Sequence, residues 1–494
     1  MHSLGRRILP QSRGIVHQMW SLLEGTTDPL AGTVPPRRLL VSVAMLNRQV
    51  SLGSPSAAVG ELDHRHLWHP FTAQRDWCRE QPLVIERGEG TELVDSDGRR
   101  YIDGVSSLWC NVHGHRHPLI DQAIREQLDR VAHSTMLGLT HRGAVELAAR
   151  LVELAPPGLG RVFYSDSGSS ATEIALKMAF QYWQQLGGQH QLRTSFVCLR
   201  NAYHGDTLGA VSVGGIDLFH AAYSPLLFSA HRVEPGNAAQ LEGVLDIHSE
   251  EIAAVIIEPL VQGAAGIRVH PPGYLRQVRE LTERHGVLLI CDEVATGFGR
   301  TGTMFACEQE RVAPDFLCLG KGLTGGYMPL AATLTTERVY EGFLGAAEEG
   351  RTFFHGHTFT GNPLACAAAL ANLDAFEREG TLVRLQPKIR LLGELLAEVA
   401  RLPEVAEVRG RGFMAGVDLG DHDPALRLGH RVALEARQRG AIVRPLGDVV
   451  ALMPPLTIRK LELQRLVEIV AASIQAAFAS AYGERPAADL AQAA

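Results

Sequence analysis

The sequence predicts an α/β fold: a large domain with a mostly parallel sheet flanked by helices, plus a smaller α+β domain. From about residue 150, short apolar runs alternate with amphipathic stretches long enough to be helices, the pattern of βαβ units. After about residue 385 the helix-like stretches interleave with short strands instead. With 494 residues, 46% of them hydrophobic and 20% charged, the chain has an ordinary globular composition and can build more than one domain.

Residues 1–60 contain arginine, few acids and many turn formers ("TTDPLAGTVPPRR", "SLGSPSAAVG"). They read as a disordered extension. A transit peptide has a similar composition, and Met45 offers another start. Residues 61–120 are expected to be the N-terminal segment of the small domain, 121–384 the large domain and 385–482 the C-terminal part of the small domain, with 483–494 a frayed tail.

In the large domain "RVFYSDSG" precedes the helical "SSATEIALKMAFQYWQQL", and "AAVIIEPL" precedes "PGYLRQVRELTERHG". "VLLICDEV" and "DFLCLGKG" follow as further strands. Continuous apolar strands belong in a parallel sheet covered on both faces, and such sheets gather functional groups at their carboxyl ends. Ser167, Glu258, Asp292 and Lys321 all stand there. In the last part, "KIRLLGELLAEVARL" and "ALRLGHRVALEARQRG" read as helices, and "FMAGVDL", "AIVRPLG" and "VVALMPPL" as strands.

Several function classes fall away. A net charge of −7 supplies no basic excess for nucleic acid or anionic membranes. No apolar stretch reaches the roughly 18 residues that span a bilayer. Seven cysteines, scattered singly, suit a reduced cytosolic compartment better than a disulfide framework. "GKGLT" is not a phosphate-binding P-loop, because Asp315 stands where the first glycine is needed and no serine or threonine follows Lys321. "GFGRTG" matches a dinucleotide fingerprint but opens no clean helix-then-strand unit. The histidines of "HRHLWHP" and "HGHRHP" lack a metal-site pattern and read as loop hydrogen-bonding groups, so no metal is expected.

Three features remain. Ser170 and Glu173 have capping-box spacing, which puts Ser167, Gly168 and Ser169 at a helix N-terminus. That is a place for an anion, or a plain cap. Asp292 ends a buried strand, and a buried carboxylate is paired, neutral or functional. Lys321, 29 residues on, ends another apolar run, where it either snorkels to solvent or becomes a nucleophilic amine. Together they describe one ligand with an anion, a cationic ring nitrogen and an aldehyde, which are the features of pyridoxal 5′-phosphate. Tyr203 of "NAYHGDTLGA" adds an aromatic ring to stack on it.

On these residues, and on "IIEPLVQGAAG", "CDEVATGFGRTG", "LGKGLTGGYMPLAAT" and "HTFTGNPLACAAAL", the chain resembles the class III aminotransferases of pyridoxal-phosphate fold type I. The resemblance runs from about residue 62 to about residue 480. "HLWHPFT", "GVSSLWCNVHGHRHP", "YHGDT" and "RPLGDVVALMPPL" narrow it to the branch that serves biotin synthesis. The resemblance implies that Lys321 holds the cofactor covalently and then shuttles a proton, while Asp292 keeps the pyridine nitrogen protonated. Gly168 and Ser169 would bind the phosphate, and Glu258 and Tyr203 would flank the ring. Thr358, preceded by Gly356 and His357, would reach the phosphate of a neighbouring subunit, making a homodimer with shared sites. Arg444 would pair with the carboxylate of 7-keto-8-aminopelargonate, with S-adenosylmethionine as amino donor in a two-stage ping-pong transfer. Phe71, Leu108 and Trp109 would line the substrate site. Phe71, Leu108 and His357 stand where many members have tyrosine, tryptophan and proline, so a lysine donor or another ω-amino substrate stays open.

Overall fold

The computed structural model describes residues 55–483. Most of the expected N-terminal extension, and all of the tail but Gly483, lie outside the described residues. Pro55–His66 is a helix, so the end of that extension is helical and not irregular. Asp63 explains this. Its carboxylate accepts the Trp77 indole N–H at 2.7 Å and pairs with His69 at 2.8 Å, tying the helix to the turn that follows.

The central sheet has seven strands, in the order Leu159–Ser165, Ala331–Thr336, Phe316–Leu319, Leu288–Asp292, Ile252–Ile257, Ser195–Leu199 and His231–Val233. Ala331–Thr336 runs antiparallel to both neighbours. The other pairings are parallel. Ile252–Ile257, Leu288–Asp292 and Phe316–Leu319 are buried at every residue, which is why they read as unbroken apolar runs. Successive side chains serve opposite faces. Leu289, Cys291, Leu317 and Leu319 join one core. Leu288, Ile290, Phe316 and Cys318 join another, covered by Ile174, Ala175 and Met178 of the Gly168–Leu186 helix. The parallel strands bring Leu199, Ile257, Asp292 and Leu319 to one edge, and Ser165 ends there too.

Two smaller sheets accompany it. Ile85–Glu89, Glu92–Asp95 and Arg100–Asp103 form an antiparallel meander. Its fourth strand is Ala441–Ile442, far along the chain and parallel to Arg100–Asp103. The second sheet is antiparallel, in the order Glu407–Arg411, Met414–Asp418, Val449–Leu452 and Arg444–Leu446.

The "GFGRTG" stretch has a structural task. Phe298, Gly299 and Gly302 have φ of 54°, 87° and 109°, making a tight left-handed loop that presents Arg300 inward. Arg300 is 1% exposed. Its guanidinium donates to Met453 O at 3.3 Å, Pro454 O at 2.7 Å and Asn111 O at 2.7 Å. The backbone carbonyl of Arg300 accepts from Phe413 N at 2.7 Å. One side chain thus ties a central-sheet loop to an N-terminal and a C-terminal segment. Burial lowers its pKa to about 10, so it stays charged at neutral pH.

Replacing Arg300 with Met leaves those carbonyls without their donors. Urea unfolding should show a loss of about 2–4 kcal/mol, against less than about 0.5 kcal/mol for Arg401→Ala at an exposed pair.

Candidate active site

At the carboxyl edge of the sheet lies a cavity of about 480 Å³. Trp109, Gly168, Ser169, Tyr203, Glu258, Asp292 and Lys321, all singled out in the sequence, line it together. Gly168, Ser169, Tyr203, Glu258, Asp292 and Lys321 come from the ends of central-sheet strands or the segments after them, because parallel strands deliver their carboxyl ends to the same place, and Trp109 comes from the segment after strand Arg100–Asp103 of the smaller sheet.

Asp292 ends its strand 5% exposed. Its Oδ2 lies 2.7 Å from Nδ1 of His204, and its Oδ1 accepts Val294 N–H at 3.0 Å. Of the possibilities open to a buried carboxylate, Asp292 is thus paired, and its partner is a histidine. His204 Nε2 is buried with no hydrogen-bond partner among the described residues.

The Gly168–Leu186 helix aims its N-terminus into the cavity. Its cap is Ser167, whose Oγ accepts Ser170 N–H at 3.2 Å, so the helix begins before the expected Ser170–Glu173 box. Glu173 is engaged elsewhere, accepting the Thr207 hydroxyl at 2.7 Å and Ala210 N–H at 3.1 Å. Ser169 Oγ donates to Thr207 Oγ1 at 3.0 Å and accepts Thr207 N–H at 3.0 Å. Gly168 and Ser169 lie in the first turn, whose N–H groups an α-helix leaves unpaired and which attracts anions. Gly168 must be glycine, since an added Cβ would stand 2.4 Å from Val294 Cγ1.

Lys321 follows strand Phe316–Leu319, with a φ of 42° between Gly320 and Gly322. A Cβ on Gly322 would come 2.9 Å from Phe298 Cβ, so the lysine is wedged by close backbone packing. Its Nζ lies 5.0 Å from the centre of the Trp109 ring. Burial lowers the Lys321 pKa, opposed by the Asp292 and Glu258 carboxylates. Glu258 accepts Tyr203 N–H at 3.1 Å and Gly263 N–H at 2.9 Å. Burial raises its pKa to about 7 against the effect of those bonds and of His204. The Tyr203 hydroxyl donates to Asp206 at 2.8 Å. Burial and that bond hold its pKa above the ordinary phenol range.

The other expected site residues lie apart. Phe71 and half-buried Arg444 line a neighbouring cavity of about 320 Å³. Burial lowers the Arg444 pKa, and Arg444 makes no ion pair among the described residues. Leu108 is 49% exposed beside Trp109. Gly356, His357 and Thr358 line a third cavity of about 980 Å³. His357 Nδ1 lies 3.3 Å from Asp166, and its backbone N–H donates to Thr360 at 3.0 Å. Sequence reasoning missed His204 and Thr207 as individual residues, although both belong to "YHGDT".

Residues 74–474 match the family model "Aminotransferase class-III". The adenosylmethionine-8-amino-7-oxononanoate aminotransferase of Nitratidesulfovibrio vulgaris is 55% identical over 445 residues, covering 85% of this chain and 82% of that protein. Its namesake from Geobacter sulfurreducens is 51% identical over 437 residues, covering 83% and 96%. The crystal structure of the Methanocaldococcus jannaschii protein of that name superposes with a TM-score of 0.83 at 42% identity, covering 85% of this chain and 99% of that one. An (S)-enantioselective ω-transaminase from Thermomicrobium roseum gives a TM-score of 0.80 at 36% identity, covering 85% and 98%.

The Glu258 pKa, raised from 4.5 to about 7, has a definite sign. The folded chain binds this proton more tightly than the unfolded one, so the group costs stability as pH rises from about 4.5 through 7. Urea midpoints measured at pH 5.5 and pH 8 should therefore fall more steeply for the natural chain than for Glu258→Gln. Equal slopes would count against the raised value.

Proposed function

The chain belongs to the class III aminotransferases, and from that membership we propose that it transfers an amino group from S-adenosylmethionine to 7-keto-8-aminopelargonate (8-amino-7-oxononanoate). The product is 7,8-diaminopelargonate, an intermediate of biotin synthesis. The chain is a pyridoxal-phosphate-dependent transaminase. The reading rests on one observation: a buried carboxylate, a lysine of lowered pKa and an open helix N-terminus share one cavity. The substrate pair comes from the shared name of the relatives.

Pyridoxal 5′-phosphate, when bound, supplies an aldehyde carbon and a ring able to take up an electron pair. Everything else falls to the chain. The first-turn N–H groups at Gly168 and Ser169 would hold the phosphate, and the Ser169 hydroxyl could join them by turning from Thr207. Asp292, fixed by His204 and Val294, would supply the carboxylate that keeps the ring nitrogen protonated. Lys321 Nζ takes a proton from the substrate carbon and returns one, which needs an amine that is neutral for part of the time. Its low-dielectric surroundings provide that. Trp109 and Tyr203 wall the site. Arg444, with no carboxylate of its own, is the group for the carboxylate of the acceptor. The two half-reactions use the same residues in turn, donor amine first and keto acid second.

The reading includes a homodimer with shared sites. Gly356, His357 and Thr358 lie outside the cavity of their own chain. Near them Leu137 and Phe354 are 86% and 84% exposed, an apolar surface suited to a second copy.

Purified protein should be yellow, and Lys321→Ala should lose the colour and lower turnover by roughly 10³-fold. A colourless protein that gains no absorbance with added pyridoxal phosphate would overturn the reading. S-adenosylmethionine should bleach the holoenzyme; bleaching by lysine alone would instead assign the lysine donor. In sedimentation the natural chain should run as a dimer, and Phe354→Asp should run as a monomer with weakened cofactor retention.

A further inference from the structure

The segment Ser106–Trp109 has an unusual backbone. Ser106, Ser107 and Trp109 have φ of 51°, 61° and 65°, and none is glycine. Such a conformation persists only where the surroundings over-determine it. Asp103, wholly buried at the end of strand Arg100–Asp103, supplies the restraint. Its Oδ1 accepts Ser107 N–H at 2.7 Å, and its Oδ2 accepts the Ser107 hydroxyl at 2.9 Å. Oδ2 also lies 3.0 Å from His115 Nε2.

The direction of each bond is fixed. Asn111 Oδ1 accepts Gly114 N–H at 2.7 Å, which leaves the amide nitrogen 3.0 Å from His115 Nδ1. An amide nitrogen only donates, so Nδ1 accepts and the ring proton sits on Nε2, facing Asp103. Ser106 adds a bond from its hydroxyl to Met453 O at 2.6 Å.

What hangs on this segment is Trp109. Its ring lies 5.0 Å from Lys321 Nζ and packs on Gly263, where an added Cβ would stand 3.1 Å from Cζ3. Its indole Nε1 is buried with no partner among the described residues. We propose that Asp103 is a positioning residue for the amine site: its bonds to Ser107 and His115 hold the Ser106–Trp109 backbone so that the Trp109 ring shields Lys321 from water. Asp103 touches neither Lys321 nor the cavity, so it acts through Trp109. The consequence for turnover rests on the aminotransferase reading; the consequence for Trp109 does not.

Asp103→Asn is the test, since it keeps size and exchanges one acceptor oxygen for a donor. Placed at Oδ2, the new N–H group meets the Ser107 hydroxyl and His115 Nε2–H. Placed at Oδ1, it meets the Ser107 N–H, which cannot turn. With S-adenosylmethionine as donor, kcat/KM of the holoenzyme should fall roughly 10- to 100-fold. The charged and titratable groups that bear on Lys321 are Asp292, Glu258, Cys110 and Arg300; the substitution replaces none of them but removes the Asp103 charge that bears on Arg300, which of itself would move the limb to lower pH. Admitting water restores the solvation that burial had removed, so the rising limb of the pH profile should move to higher pH. Trp109 emission, taken as the difference from a Trp109→Phe background, should shift to the red and quench more readily with acrylamide. Ser107→Ala, which removes one donor, should move both readouts the same way by less, and decides the matter if Asp103→Asn does not fold. A lower yield of holoenzyme with an unmoved pH limb and unmoved Trp109 emission would overturn the proposal. Failure of the aminotransferase reading would show separately, as a natural chain without turnover whose Trp109 emission still responds to Asp103→Asn.

Discussion

A carboxylate at the end of a fully buried strand is the constraint on which the rest of the site depends. Removing Asp292 from water costs several kcal/mol unless its oxygens find donors. His204 and Val294 N–H are those donors. Meeting that need draws the loop after strand Ser195–Leu199 across the end of strand Leu288–Asp292. The same loop carries Tyr203, whose N–H satisfies Glu258, and Thr207, which binds Ser169 at the helix start. Satisfying one buried acid thus sets in place the aromatic wall, a second acid and the hydroxyls at the helix N-terminus.

Charge balance in the cavity follows from that arrangement. Two buried carboxylates and one partly buried amine share the cavity. For Lys321, burial opposes the charged form and the two carboxylates favour it; for Glu258, burial and the neighbouring Asp292 both oppose it. For Lys321 burial wins, and for Glu258 burial also wins over its hydrogen bonds and over His204. An amine that must gain and lose a proton within one turnover benefits from standing between these opposing effects.

The parallel sheet was legible because its strands are buried on both faces and so read as unbroken apolar runs. Lys321, Asp292 and Glu258 were legible because a polar group at the end of such a run stands out. His204 was not, since a histidine in a loop of glycines and small residues announces no partner, and Asp292 lies 88 positions away. The helix cap was misjudged because Glu173 has the right spacing for a local box, yet a partner distant in sequence, Thr207, holds it more strongly than local geometry would. Arg444, Phe71 and the Gly356–Thr358 loop were named from resemblance, and within one chain they line cavities other than the one around Lys321. A pattern along one chain does not encode what a substrate or a second copy brings together.

The meander that begins near residue 85 is completed by Ala441–Ile442, and the hydrogen bond from Arg99 to the Gln438 carbonyl spans 339 positions. Closing so long a loop carries an entropic cost that local contacts do not repay. A nascent chain can assemble the seven-stranded sheet from segments that have already left the ribosome, but its first sheet waits for nearly the last strand. Synthesis therefore runs almost to its end before Asp103 gains its neighbouring strand. A product that stops short of Ala441 would carry Lys321 and Asp292 with strand Arg100–Asp103 still lacking its outer neighbour.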